Sequence, residues 1–244
     1  MGHLVVIFPG SLGDLVCFFP ALKKMVAGEE KVTVVARKST MDVLDAFQWL
    51  DPAVGLETMS IDEARFSKLF VQVEDGDGAV DLERFFKGAT RVLSWSGHSS
   101  LAVRKNLARY VAGEFSVFPF FSGHVAMHAC VYYLRCVGGE NDTAKVASDG
   151  EWTFEPFWLP VKRKWRLYGE SFWTRKGWGD KKILIIHPGS GGQHKRWRSE
   201  GFETVAEWWT NECDREVLIV LGPAEEREEE HWSHFGQVEV SLEI

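Results

Sequence analysis

KILIIHPGSGGQHKRWRSEGF, residues Lys182–Phe202, says most about how this chain is built. Ile183–Ile186 is an unbroken apolar, β-branched run, the pattern of a parallel strand buried on both faces. Behind it, Gly189, Gly191 and Gly192 let main-chain N–H groups close on a ligand, and Lys195 and Arg196 add positive charge. A helix opening after Ser199 aims its N-terminal dipole at the same turn, so this stretch reads as a backbone-built site for phosphate or diphosphate.

The same strand–turn–helix grammar recurs upstream. Leu4–Phe8 reads as a buried strand, Pro9–Gly13 as a turn, and Leu15, Phe18, Phe19, Leu22 and Val26 as the apolar stripe of a helix. Lys31–Arg37 and Thr90–Ser94 are further strands. Thr40–Phe47, with Ser39 as its cap, and Leu101–Val111 are helices. Phe115–Phe120 and His124–Val137 continue the alternation. Strands alternating with helices call for parallel sheets with helical crossovers. The expected architecture is therefore α/β, with two Rossmann-like doubly wound domains. Residues 1–139 form the first, 140–180 a linker without clear periodicity, and 181–244 the second. The second carries only two clear strand–helix units (Ile183–Asn211, and Glu216–Leu221 with a charged helix from Ala224 to about His231). It reads as a partial domain.

The chain has 244 residues, 45% of them hydrophobic, and a net charge of −7. That charge argues against a nucleic-acid partner, which is usually met by a basic surface. No run reaches the length of a membrane span, and no leader pattern opens the sequence, so a cytoplasmic protein is expected. Cys17, Cys130, Cys136 and Cys213 form no C-x-x-C pair and read as reduced thiols. No structural metal is expected.

In sheets of this kind ligands bind beyond the carboxyl ends of the strands, where both glycine turns would lie. The first turn offers the carboxylate of Asp14 and the second offers amides and Lys195. A base opposite an anion cradle, on two domains facing one cleft, suits transfer of a group from a phosphate-activated donor to a hydroxyl. The G-x-G-x-x-G and P-loop patterns are not met.

Three blocks resemble a known family. GSLGDLVCFFPALKKM (Gly10–Met25) is similar to the G-x-x-G-D and P-A-L signature of the heptosyltransferases, glycosyltransferase family 9. HPGSGGQHKRWRSEGF and LIVLGPAEERE resemble that family's donor-domain segments. The resemblance implies the two-domain GT-B fold and inverting, metal-independent transfer from a nucleotide-diphosphate sugar, classically ADP-linked heptose. The acceptor would be a hydroxyl of a glycan or lipid-linked core, as in lipopolysaccharide biosynthesis.

On the same resemblance Asp14 is the general base, Ser190, Gly191 and Lys195 hold the donor diphosphate and sugar, and Glu225 contacts the ribose. No cofactor is implied beyond the nucleotide sugar as substrate. The family's further donor motif, D-[ST]-G-x-x-H, would fall beyond Val240–Ile244. A non-catalytic nucleotide- or glycan-binding protein derived from such an enzyme is the competing expectation.

Each residue also has a plainer reading. Asp14 would complement a helix dipole, Lys195 would be a solvated charge, and Glu225, inside EEREEE, would sit on an exposed helix face. Nine of the eleven tryptophans follow Gly150, several beside Lys and Arg. They pin a linker by aromatic packing, or they meet the inner membrane as a peripheral contact.

Overall fold

The computed structural model describes residues 2–46, 54–72, 77–121, 127–138, 160–190, 192, 195–213, 215–222 and 225–240. By internal contacts the chain divides into Met1–Lys162 and Arg163–Ile244.

The first unit holds a five-stranded parallel sheet in the order β3-β2-β1-β4-β5. Its strands are β1 (His3–Phe8), β2 (Lys31–Ala36), β3 (Gly55–Ser60), β4 (Arg91–Ser94) and β5 (Glu114–Val117). Its helices are α1 (Leu12–Met25), α2 (Lys38–Ala46), α3 (Ala64–Ser67), α4 (Asp77–Phe86), α5 (Leu101–Tyr110) and α6 (Ala129–Gly138).

The alternation of β1 shows how the sheet is buried. Leu4, Val6 and Phe8 pack with α1, α2 and α6, whereas Val5 and Ile7 pack with α3, α4 and α5. Helices on both faces are what a parallel sheet requires, because neither apolar face can be left to water. The chain leaves β1 toward β2 on one side and β4 on the other, so the sheet's switch point lies beyond the carboxyl ends of β1 and β4.

The boundaries shift where local chemistry overrides the pattern. Helix α2 begins at Lys38, so Ser39 is not its cap; the Thr40 hydroxyl donates to the Arg37 carbonyl at 2.9 Å. Strand β3, GLETMS, goes unread in the sequence because it is only half-buried and alternates poorly. Pro20 sits inside α1.

The second unit begins with α7 (Arg163–Arg175), within the 140–180 stretch expected to lack periodic structure. None of its residues is buried, so no continuous apolar stripe marks it. A parallel three-stranded sheet follows, in the order β6-β7-β8, with β6 (Leu184–Ile186), β7 (Val217–Leu221) and β8 (Gln237–Val240). Helix α8 (Ser199–Asn211) has the bounds its pattern predicts. The expected charged helix is a 3₁₀ turn, Glu226–Glu228, followed by the short α9 (Glu229–Trp232).

Strand β6 departs from the expectation of burial on both faces: Ile186 is buried with β7, α8 and Trp232, while Ile185 is 55% exposed. Trp178 is buried, stacks edge-on against Phe172 and Trp173, and donates its Nε1–H to Glu216 at 2.7 Å. Trp173 and Trp178 thus pack against one another, while Trp152 and Trp158 lie outside the described residues.

Candidate functional site

Asp14 occupies the third position of α1, directly after the β1 turn. Its Oδ2 accepts from the Ser11 backbone N–H at 3.0 Å and from the Ser11 hydroxyl at 2.6 Å. The carboxylate is thus oriented by the first turn of its own helix and complements the helix dipole there. Oδ1 has no hydrogen-bond partner among the described residues, and the side chain is half-buried. The structure therefore satisfies the capping reading while leaving one oxygen for other work.

The turn itself is forced to be tight. A β-carbon on Gly10 would run into the Phe8 ring and stand 2.8 Å from the Asp14 Cβ, so the glycine is required by close approach. Phe8 stacks on Phe18 with ring centroids 4.0 Å apart, and Trp95 and Tyr133 meet them edge-on. This aromatic block fixes the start of α1 against β1 and β4.

Tyr133, from α6, has its hydroxyl buried without a partner among the described residues. Burial pushes its ionisation upward, with the nearby Asp14 carboxylate as the next cause. The hydroxyl therefore stays protonated close to that carboxylate. An aromatic in an apolar helix stripe gives no sequence signal for this.

In the second unit the sequence-predicted residues divide. Glu225, with 3% exposure, is buried and does not lie on an exposed helix face. It sits beyond the carboxyl end of β7, beside the turn that follows β6. β-Carbons added at Gly189 and Gly222 would stand 2.5 Å and 2.9 Å from its carboxylate oxygen Oε2. The two glycines thus make room for the carboxylate between the ends of neighbouring strands.

The Arg196 guanidinium bonds Glu225 Oε1, and its Nε–H donates to the Ser190 carbonyl at 3.4 Å. One arginine thereby ties the first turn to the buried acid of the second. Such a charge-assisted contact offsets the cost of burying the carboxylate.

Ser190 is half-buried and enters this arrangement through its carbonyl. Lys195 is exposed, and its backbone N–H donates to the Gly192 carbonyl at 2.9 Å. Gly191 lies outside the described residues. His187, at the end of β6, donates from Nδ1 to the Val220 carbonyl at 2.7 Å, a local bond that fixes the turn.

In the sequence Arg196 is one positive charge of the turn, with no partner to be seen. Its link to Glu225 spans 29 residues and becomes visible only once β6 and β7 are paired. Among the described residues no group of three or more His, Cys, Asp or Glu is arranged to hold a metal ion. No helix among them is long and apolar enough to cross a membrane.

No protein-family model matches the chain, and no curated protein does. Solved structures do. The family 9 glycosyl transferase from Veillonella parvula DSM 2008 is similar with a TM-score of 0.68 at 16% identity, over 98% of this chain and 70% of its own. E. coli ADP-heptose LPS heptosyltransferase II gives 0.60 at 13% identity, over 98% and 72%. E. coli heptosyltransferase WaaC, solved with ADP-2-deoxy-2-fluoro heptose, gives 0.57 at 12%, over 99% and 76%. At these identities the likeness is one of fold: the chain has the α/β fold of the family 9 glycosyltransferases, as the three sequence blocks imply.

Proposed function

We propose that the chain is a glycosyltransferase that moves a sugar from a nucleotide-diphosphate donor to a hydroxyl of a glycan or lipid-linked acceptor. The observation that carries this reading is the buried carboxylate of Glu225, held by Arg196 between two glycine turns at the strand ends. It lies beyond the carboxyl ends of parallel strands, the side on which ligands bind in such sheets, in a fold whose solved relatives include an enzyme holding an ADP-linked sugar. A buried acid with one oxygen committed to an arginine keeps its second oxygen to accept hydrogen bonds, which suits the hydroxyls of a ribose. ADP is the nucleotide favoured by the likeness to WaaC.

The reaction is a single displacement with inversion. The acceptor O–H gives its proton to the free Oδ1 of Asp14 as its oxygen attacks the anomeric carbon, and the bond from that carbon to the diphosphate oxygen breaks. The nucleoside diphosphate departs with the electron pair. Lys195 and the amides of the Gly189–Gly192 turn, with Ser190 and Gly191, stabilise the charge that grows on it. Removing one preorganised donor of this type costs about 10²–10³ in rate, which sets the expectation for Lys195→Ala.

The test is Asp14→Asn, which keeps an acceptor oxygen for Ser11 and removes the base. Transfer from an ADP-linked sugar should fall by about 10²–10⁴ while ADP affinity stays unchanged. Unchanged transfer in that variant refutes the base. ADP binding without any transfer by the unaltered chain favours a nucleotide-binding protein without turnover. Peripheral membrane contact belongs to the same proposal only for a lipid-linked acceptor, and sedimentation with anionic vesicles measures it.

A further inference from the structure

A second polar feature lies at the opposite end of the first sheet. His3 and Lys31 are the first residues of β1 and β2, whereas Asp14 follows the carboxyl end of β1. Six residues of strand separate the two ends, about 17–20 Å. At the amino ends the sheet face that packs α3, α4 and α5 changes character. Deeper along it are Val5, Ile7 and Val35, but its margin carries His3, Thr33 and Glu57.

These side chains are joined to one another. His3 Nε2 lies 2.8 Å from the Thr33 hydroxyl, which lies 3.4 Å from Glu57 Oε2, and Lys31 pairs with that same carboxylate at 3.0 Å. Thr33 is 1% exposed, whereas the Lys31 and Glu57 side chains reach solvent, so the polar group runs from the buried sheet face to the surface. Beside it, between this margin and residues Arg65, Asp81, Arg84, Phe85 and Lys87, lies a cavity of about 440 Å³. That falls within the roughly 300–1,000 Å³ of small-molecule sites.

The charge of the cavity wall runs against that of the chain. Lys31, Arg65, Arg84 and Lys87 line it with only two carboxylates, Glu57 and Asp81, in a protein whose net charge is −7. Asp81 is already bonded to Lys68 at 2.6 Å. Arg65 is paired with Glu63 at 2.6 Å, and Arg84 feels the Asp81 carboxylate, but Arg84 and Lys87 have no ion-pair partner within 4 Å among the described residues, so the α4 side presents two cations over a hydroxyl, an imidazole and a carboxylate.

We propose that this cavity binds a small phosphorylated sugar or polyol. Arg84 and Lys87 take the phosphate, and His3, Thr33 and Glu57 take the hydroxyls. The site is independent of the transfer reading and stands whether or not that reading does. Its position away from the strand carboxyl ends makes it a regulatory or anchoring site and not part of the chemistry.

His3 supplies the probe. Burial, then Lys31, holds its ionisation below the ordinary histidine range, while Glu57 and Glu29 oppose them. The remaining charged groups of the wall are Arg65, Asp81, Arg84 and Lys87. A bound phosphate adds negative charge and moves the ring's ionisation upward.

The experiment follows the His3 ring proton by NMR in the whole chain, assigned with His3→Gln, during titration with glucose 6-phosphate and, separately, with inorganic phosphate. The expected result is a saturable shift with glucose 6-phosphate that tightens at least tenfold relative to inorganic phosphate. It should weaken at least tenfold in Arg84→Gln/Lys87→Gln and persist in excess ADP. Both altered side chains are exposed, and Lys87→Gln alone, with a smaller weakening, serves if the pair fails to fold. No saturable shift, an equal shift in the variant, equal affinity for inorganic phosphate, or displacement by ADP each overturns the proposal.

Discussion

Gly189 and Glu225 are packed so closely that a β-carbon on the glycine would stand 2.5 Å from the carboxyl carbon of the acid. The two residues come from turns after different strands, β6 and β7, and the missing side chain of one is the space occupied by the other. Gly189→Ala should therefore push the Glu225 carboxylate out of place. Overpacking of this kind costs about 1–3 kcal/mol. Calorimetry should show ADP affinity falling at least tenfold while the far-ultraviolet circular dichroism keeps its native shape.

The pairing of Arg196 with Glu225 makes the two possible deletions unequal. The Glu225 side chain is 4% exposed and that of Arg196 is 31% exposed. In Glu225→Gln the arginine can turn toward water, whereas in Arg196→Ala a carboxylate is left buried and uncompensated. Breaking a buried pair by removing one partner costs about 3–5 kcal/mol, and the partial exposure here lowers that to about 2–3. Urea unfolding should show Arg196→Ala as the less stable of the two by about 1 kcal/mol or more.

This pair also marks where the sequence stops being legible. The strands Leu4–Phe8 and Lys31–Arg37, and the helix Ser199–Asn211, are readable because burial on one or two faces imposes a period on the residues themselves. Glu225 carries no such mark. Inside EEREEE it resembles a solvated helix face, and only the pairing of β6 with β7 places it between two glycines and under Arg196. Helix α7 is missed for the converse reason, since with no buried residue it has no stripe to show. Ile185 misleads because an apolar run says nothing about which of its faces is covered.

Asp14→Ala separates the structural from the chemical role of that carboxylate. It removes the acceptor for both Ser11 donors at the start of α1, a loss worth about 0.5–2 kcal/mol. Asp14→Asn retains an acceptor oxygen and should melt within about 1 kcal/mol of the unaltered chain. If both variants lose sugar transfer equally while differing in stability, the loss belongs to the base and not to a frayed helix.

Cys130 should be inert in the folded chain. Burial, then the neighbouring Cys17, pushes its thiol up to about 12, so almost none of it is thiolate at neutral pH. A maleimide reagent at pH 7 should leave Cys130 unmodified in buffer and label it on unfolding in urea. Peptide mass mapping reads both states.

Glu216 gives the second unit an acid-sensitive tie. Its carboxylate accepts from Lys181 at 2.5 Å, from Trp178 Nε1 at 2.7 Å and from Gln237 at 3.0 Å. It thereby joins the segment after α7 to the starts of β7 and β8. The Lys181 hydrogen bond, followed by that of Trp178, holds its ionisation below the ordinary 4.5. A carboxylate with a depressed folded value contributes stability that is fully present above 4.5 and is lost as the pH falls through the folded value. The Glu216 side chain is about a third exposed, so solvent screens the contribution to about 1 kcal/mol or less. Thermal unfolding followed by tryptophan fluorescence should show the unaltered chain losing more stability than Glu216→Gln between pH 5 and about pH 3. The two should keep a constant offset from pH 6 to 8. Parallel curves through the acid range would show that the three bonds to Glu216 do not depend on its charge.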